Sequence, residues 1–500
     1  MRHHIGTTVL AASALLLAAC GDMPDSAGDV EQVQRLAAAD TTRYVVVFDS
    51  RGALPADADD RVREAGGAIV QTLPQVGVAI ATSGDPDFAS ALEADRGVRA
   101  VGAEGSFRLL EPHAVRQAEV PPAVAPEVDR QVGASGVEWG FFDDWQWNVR
   151  RVKADAAWED TTGSHDTVVA VIDTGIAWNH PDLGANVVHA DCFRTFAVLD
   201  EDAECAYPDL HWHGTFVAGV VAANSGGGVV GVGPDLGLAS YNVFELFQDP
   251  EDPSEFYLSA AASSIWLAML DAADQGFDVI NLSLGAYDDK SASRVSPGAS
   301  RDHVAFWVTD QRIAEYVSRQ GVTVVSSSGN SGRNLNGPID AVPAGVPATI
   351  AVSGTGIRPE PAFPQPDAYD VLAVYSDHGA YVDLAAPSGD CGPDFVDPDL
   401  DPCIIEHLIT SAGVDLDVTD PADIPACVAS HDCVTGWFLA AGTSAAAPLV
   451  AGAAGLVRDI DPQLSPQQVR QVLGNSAETI GHRQAFGHGM LDVDRAVRSR

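Results

Sequence analysis

The sequence predicts an α/β protein: a mostly parallel sheet with helices on both faces, preceded by a small α+β unit. Three observations predict it. From 137 onward, apolar runs of strand length ("TVVAVID", "GLASYNVF", "DVINLSLG", "GVTVVSSSGN", "ATIAVSG", "YVDLAAPS") alternate with helical segments such as "GTFVAGVVAAN" and "VAFWVTDQRIAEYVSRQG". Such alternation implies crossover connections and parallel pairing. The runs are nearly continuous in apolar residues, as strands covered on both faces must be. Finally, 43–107 reads strand, helix, strand, strand, helix, strand, the split βαβ order of a ferredoxin-like unit.

Each element has a local reason. In the small unit, "RYVVVFD" is strand-like and "PADADDRVREAGG" is a short helix stopped by Gly-Gly. "AIVQTLPQVGVAIAT" is two strands broken at 73–77, "DPDFASALEAD" a helix opened by Asp85 and Pro86, and "GVRAVGAEG" a last strand. Before it, 21–42 is polar, small and without apolar period, a tether. After it, 108–136 is rich in Pro, Val and Glu without period and reads as an exposed linker. The remaining 137–500 forms the larger domain. Near its end, "GTSAAAPLVAGAAG" starts a helix of small residues, with Pro448 early, where a proline is tolerated.

The 500 residues are too many for one core. Lys plus Arg number 28 against 70 Asp plus Glu, a formal charge of −42. With acidic residues outnumbering basic ones 70 to 28, and only two lysines, Lys153 and Lys290, among the latter, no nucleic-acid partner is expected. The N-terminus reads as an export signal: Arg2, an uncharged stretch from Ile5 to Ala19, then Cys20. The stretch "LLLAACGD" at the end of the signal region 1–20 resembles a bacterial lipoprotein signal, which implies that Cys20 is lipidated and becomes the first residue of the mature chain, and that any membrane contact runs through that lipid. Six further cysteines form three close pairs: Cys192 with Cys205, Cys391 with Cys403, and Cys427 with Cys433. Six cysteines allow about fifteen connectivities, and short loops favour joining each to its neighbour.

Three strand-like runs end in polar residues, at Asp173, Ser283 and Asn330. In parallel sheets, ligands sit beyond the carboxyl ends of the strands, so these three are candidates for one rim. Each alone is an ordinary turn residue; together they suggest a site. His213 stands at a helix start, where the helix dipole disfavours imidazolium and keeps the ring able to accept a proton. A His211/His213 metal pair lacks a third ligand at a recognisable spacing. Ser444 reads either as an N-cap or as a nucleophile.

"VIDTGI", "HGTFVAG", "SLG", "SSSGN" and "GTSAAAP" occur in the order Asp, His, Ser. Together with "HPDL" and "GHGMLDVDRAV" they resemble the signature blocks of subtilisin-like serine endopeptidases over about 145–497. The resemblance implies an Asp173–His213–Ser444 triad acting on protein or peptide substrates. It also implies an oxyanion site at Asn330 and the Ser444 N–H, and a substrate-pairing edge at Ser283, Leu284 and Gly285. No cofactor is needed for that chemistry. Structural calcium is possible, as in relatives, with the acidic insertion at 390–432 as its place. The 43–107 unit resembles the propeptide that inhibits such enzymes, so that self-cleavage in the linker would free the catalytic domain from the anchor. Phe216 and Ala445 stand where the family usually has His and Met, both expected to be packing positions. The pocket walls, 283–286, 326–328 and 341–345, are small and uncharged, which suggests a slot for an apolar side chain. Two other readings compete. One is a catalytically silent lipoprotein that binds proteins on this scaffold. The other is an esterase, which would want G-x-S-x-G and the order Ser, Asp, His; neither is present.

Overall fold

The computed structural model describes residues 34–35, 37–38, 41–109, 114–117, 136–137, 139–194, 209, 211–248, 256–290, 297–357, 370–390, 407–415 and 434–499. The signal, Cys20, five of the six paired cysteines and most of the acidic insertion lie outside these residues.

Short strands β1 (Gln34–Arg35) and β2 (Ala37–Ala38) precede the small unit. That unit is β3 (Thr41–Phe48), α1 (Ala58–Glu64), β4 (Ala68–Leu73), β5 (Val78–Ser83), α2 (Phe88–Glu93) and β6 (Val98–Ala103). Its sheet is antiparallel in the order β4-β5-β3-β6, with β2 pairing the start of β3. This is the predicted ferredoxin-like arrangement. The run in β3 is apolar on both faces for a reason. Val46 and Phe48 pack with Val62, Phe88 and Leu92 in the unit's own core. Val45 and Val47 join a core that continues into the larger domain.

Two strands then form at this junction: one ends at Arg108, the first residue of the expected exposed linker 108–136, and the other lies inside that linker. β7 (Gly105–Arg108) pairs with β1 and with a strand of the larger domain, and β8 (Ala114–Gln117) pairs with another. Neither sequence carries a strand signal of its own; the edges they dock against supply the partner. Likewise β2 falls inside the stretch read as a tether.

The larger domain contains, in order, α3 (Trp147–Arg151), α4 (Ala154–Ala157), β9 (Val168–Asp173), β10 (Val187–Cys192), α5 (Trp212–Ala222), β11 (Gly237–Asn242), β12 (Glu245–Gln248), β13 (Phe256–Ala261) and α6 (Ala262–Gln275). There follow β14 (Val279–Leu282), β15 (Ala286–Asp289), α7 (Pro297–Arg319), β16 (Thr323–Ser327), β17 (Ile339–Val342), β18 (Thr349–Gly356), β19 (Val371–Leu372), β20 (Leu384–Pro387), β21 (Ile409–Asp415) and β22 (Val434–Ala441). Four helices close the chain: α8 (Thr443–Ile460), α9 (Pro466–Ser476), α10 (Arg483–Phe486) and α11 (Val493–Arg498). Seven strands run parallel in the order β10-β11-β9-β14-β16-β18-β20, and β19 adds antiparallel to the end of β18.

Burial follows the predicted two-faced pattern. In β9, Val169 and Val171 join one core, with α5 and α8, while Ala170 and Ile172 join the other, with α6 and α7. Alternate side chains of a strand point to opposite faces, so a strand sandwiched between helix layers has to be apolar throughout. Strand β15 pairs antiparallel with β17 and precedes the long helix α7.

Candidate active site

Adjacent parallel strands β9, β14 and β16 end together at Asp173, at Leu282 just before Ser283, and at Ser327 just before the Ser328–Asn330 turn. One rim therefore carries all three polar strand ends, as predicted.

Asp173 is fully buried. Its Oδ1 accepts from His213 Nδ1 at 2.8 Å and from the Thr174 backbone N–H at 2.7 Å. A carboxylate on Nδ1 assigns the ring proton to that nitrogen and leaves the lone pair on Nε2, the tautomer a general base needs. His213 lies in the first turn of α5. His211 is the N-cap and its Nδ1 accepts from the His213 N–H at 3.3 Å. Burial, and then the charge of His213, depress His211 to about 3, so it stays neutral. That capping role disposes of a His211/His213 metal pair. Gly214 is required sterically, since a Cβ there would sit 2.1 Å from the Gly175 carbonyl oxygen.

Asp209 is the residue that sequence reasoning missed. Its Oδ1 accepts from Thr174 Oγ1 at 2.7 Å and from the His211 N–H at 2.9 Å. Its Oδ2 accepts from the Thr215 N–H at 3.0 Å and from the Thr215 hydroxyl. It thus ties the loop after Asp173 to the helix that bears His213. Burial pushes its carboxyl up to about 7, against the hydrogen bonds from Thr215 and Thr174. The only signal in the sequence was an Asp four positions before the helical histidine.

The nucleophile candidate is positioned by a second network. Ser444 is the second residue of α8 and 8% exposed. Gly442 is the N-cap with no side-chain cap bond, so the N-cap reading of Thr443 and Ser444 does not hold. Ser444 Oγ donates to the Ser283 carbonyl at 3.3 Å, while Ser283 Oγ donates to the Ser444 carbonyl at 2.9 Å and accepts from Asn281 Nδ2 at 3.0 Å. Ser283, expected on the substrate edge, is thus hydrogen-bonded to the backbone of Ser444. Asn330 Oδ1 accepts from the Thr443 N–H at 2.9 Å and the Thr443 hydroxyl at 2.7 Å. With its oxygen so engaged, the amide NH2 is the end left to donate.

Gly329, before Asn330, has φ +112°, and a Cβ there would strike Asp377 Oδ2 at 2.3 Å and the Tyr287 hydroxyl at 2.5 Å. Leu284 is buried, and Gly285 lies where a Cβ would sit 3.1 Å from the Val342 carbonyl oxygen. The 283–286 and 341–345 segments are thus neighbours, joined by the pairing of Ala286 with Val342. Phe216 and Ala445 are each 1% exposed, Phe216 edge-on to Trp212 at 5.6 Å, so both are packing positions.

A family model, the subtilase family of peptidases, matches residues 164–489. The chain is 30% identical over 397 residues to the alkaline protease of Alkalihalobacillus alcalophilus, covering 78% of each. It is 31% identical over 357 residues to subtilisin BL of Lederbergia lenta, covering 70% of this chain and 98% of that one. Among solved structures, the epidermin leader peptide processing serine protease of Staphylococcus aureus is similar with TM-score 0.65 and 22% identity, covering 91% of this chain and 98% of that one. Fervidolysin from Fervidobacterium pennivorans gives TM-score 0.65 at 20% identity, covering 94% and 63%. At those identities the structures speak for the fold. Parallel sheet, rim and relatives define a subtilisin-like serine endopeptidase. The chain belongs to the subtilase family.

Proposed function

We propose that Ser444 attacks the peptide carbonyl, that His213 takes and returns its proton, and that Asp173 orients the ring and stabilises the imidazolium. The observation that carries this reading is the buried 2.8 Å contact between Asp173 Oδ1 and His213 Nδ1. The Asn330 amide and the Ser444 N–H, at the start of α8, hold the oxyanion of an acyl-transfer reaction. Peptide substrates pair their backbone with Ser283, Leu284 and Gly285. A silent binding protein finds no support, since all four chemical groups are present. The experiment is reaction with a serine-directed phosphonate probe: wild type labels and turns over casein, and Ser444→Ala does neither. Labelling of Ser444→Ala would sink the assignment.

The 43–107 unit acts as an intramolecular inhibitor that the enzyme removes from itself. Supporting this, β7 lies antiparallel on β13, and β8 on β22, the strand that leads into Ser444. Cleavage in 108–136 separates the catalytic domain from Cys20, which anchors the exported chain to a membrane if it is lipidated. N-terminal sequencing of the active form reads both steps at once; active enzyme still joined to Cys20 would refute the release. Cys192 is disulfide-bonded, and the same reading joins each of the six cysteines to its neighbour in sequence. The acidic insertion remains the proposed place for structural calcium.

A further inference from the structure

Two strands away from β9, β10 forms the outer edge of the parallel sheet and carries His189 and Asp191 near its carboxyl end. Two positions apart on a strand, they share a face. In register, Asp191 lies beside Tyr241 of β11. The His189 ring packs against the rings of Tyr241 and Phe277, at 5.4 Å from each. A third group comes from α6: Asp271, whose Oδ2 accepts from the Tyr241 hydroxyl at 2.6 Å.

One ring nitrogen of His189 and one carboxylate oxygen each from Asp191 and Asp271 all lie within 4.8 Å of one another. Both carboxylates are oriented by a neighbour, Asp191 through the Cys192 N–H at 2.7 Å and Asp271 through Tyr241. His189 Nε2 is buried with no hydrogen-bond partner among the described residues, a state that native proteins rarely leave unexplained.

We propose that His189, Asp191 and Asp271 bind a divalent transition-metal ion of the zinc class, with water completing its shell. An imidazole with two carboxylates suits such an ion, whereas calcium and magnesium prefer oxygen alone. At bond lengths of about 2.0–2.2 Å the three donors need only draw together by roughly an ångström, within reach of side-chain rotation. Tyr241 serves as the outer partner that fixes Asp271. The ion would staple the edge strand to α6 across β11. It has no part in the peptidase chemistry.

The test uses the full chain with Ser444→Ala, which prevents self-digestion. The protein is stripped with a chelator, and zinc chloride alone is then titrated in the presence of millimolar calcium, which occupies any oxygen-only sites. One equivalent of zinc should survive gel filtration and raise the unfolding midpoint. His189→Ala and Asp191→Asn should each weaken zinc binding by more than tenfold, and Tyr241→Phe by about tenfold. Far-ultraviolet circular dichroism checks that each variant is folded. The proposal is overturned if no zinc is retained, or if the His189 and Asp191 variants, both folded, bind it as the parent does.

Discussion

At the scale of single residues, one amide, Asn330, and one carboxyl, Asp209, make separate predictions. If the Asn330 side chain donates to the developing oxyanion, Asn330→Ala should lower kcat by about a hundred- to a thousandfold with little change in KM, because the bond is made in the transition state. An equal rise in KM instead would place Asn330 in ground-state binding. Asp209 makes a different prediction. Its carboxyl is raised from 3.8 to about 7 by burial, so the folded state holds a proton that the unfolded chain has already released. The stability this contributes is complete below about pH 4 and is lost as pH rises through about 7. The gap in unfolding midpoint between the Ser444→Ala chain and its Asp209→Asn double variant should therefore shrink between pH 4.5 and pH 7.5. A constant gap would show that Asp209 is ionised throughout. In activity, Asp209→Ala leaves the His211 and Thr215 N–H groups without their acceptor, and kcat should fall with KM nearly unmoved, as expected for a positioning residue.

At the scale of elements, α6 and α7 hold the N-terminal unit through one borrowed helix cap and one arginine clamp. The N-cap of α6 is Ala261, which has no side chain to cap with. Glu104 of the small unit takes that place: its Oε1 accepts from the Ser263 N–H at 3.0 Å while Oε2 accepts from Arg43 at 2.6 Å. In the other direction, Arg312 of α7 donates through Nη1 to the carbonyls of Phe48 at 2.8 Å, Val76 at 3.0 Å and Ser50 at 3.3 Å. Charge-assisted bonds of this kind are worth about 1.5–3 kcal/mol. On the proposed propeptide role, Arg312→Ala should therefore loosen the hold of the N-terminal unit, once cut, by roughly ten- to a hundredfold. That would be read as faster onset of full activity after the chain is cut; unchanged lag kinetics would remove Arg312 from the interface energetics. Elements also show where the sequence is legible. The alternation of β3, β9 or β14 with helices is written in apolar period because burial is a property of the residues themselves. β7 and β8 are not, because their pairing depends on edges of β13 and β22 more than 140 and 310 residues away. For the same reason Asp173, His213, Asn330 and Ser444 stood out through local motifs, whereas Asp209 acquired its role only when the fold brought two threonines against it.

At the scale of the whole molecule, the formal charge of −42 acts on every encounter with substrate. A net negative field concentrates cationic ligands near the surface and repels anionic ones, with effects on association of about ten- to a thousandfold at low salt. The effect is long-ranged, so salt should remove it: the screening length falls from about 10 Å at 0.1 M to about 3 Å at 1 M. The small, uncharged pocket walls make no such distinction, because they contact only the side chains next to the scissile bond. Two peptides with the same apolar core, one flanked by lysines and the other by glutamates, separate the two sources of preference. The lysine peptide should be favoured in kcat/KM by about tenfold or more at 20 mM salt, and the ratio should approach one near 1 M. A preference that survived high salt would have to come from a contact at the site itself. Absence of any preference at low salt would mean that the charge sits too far from the groove to steer.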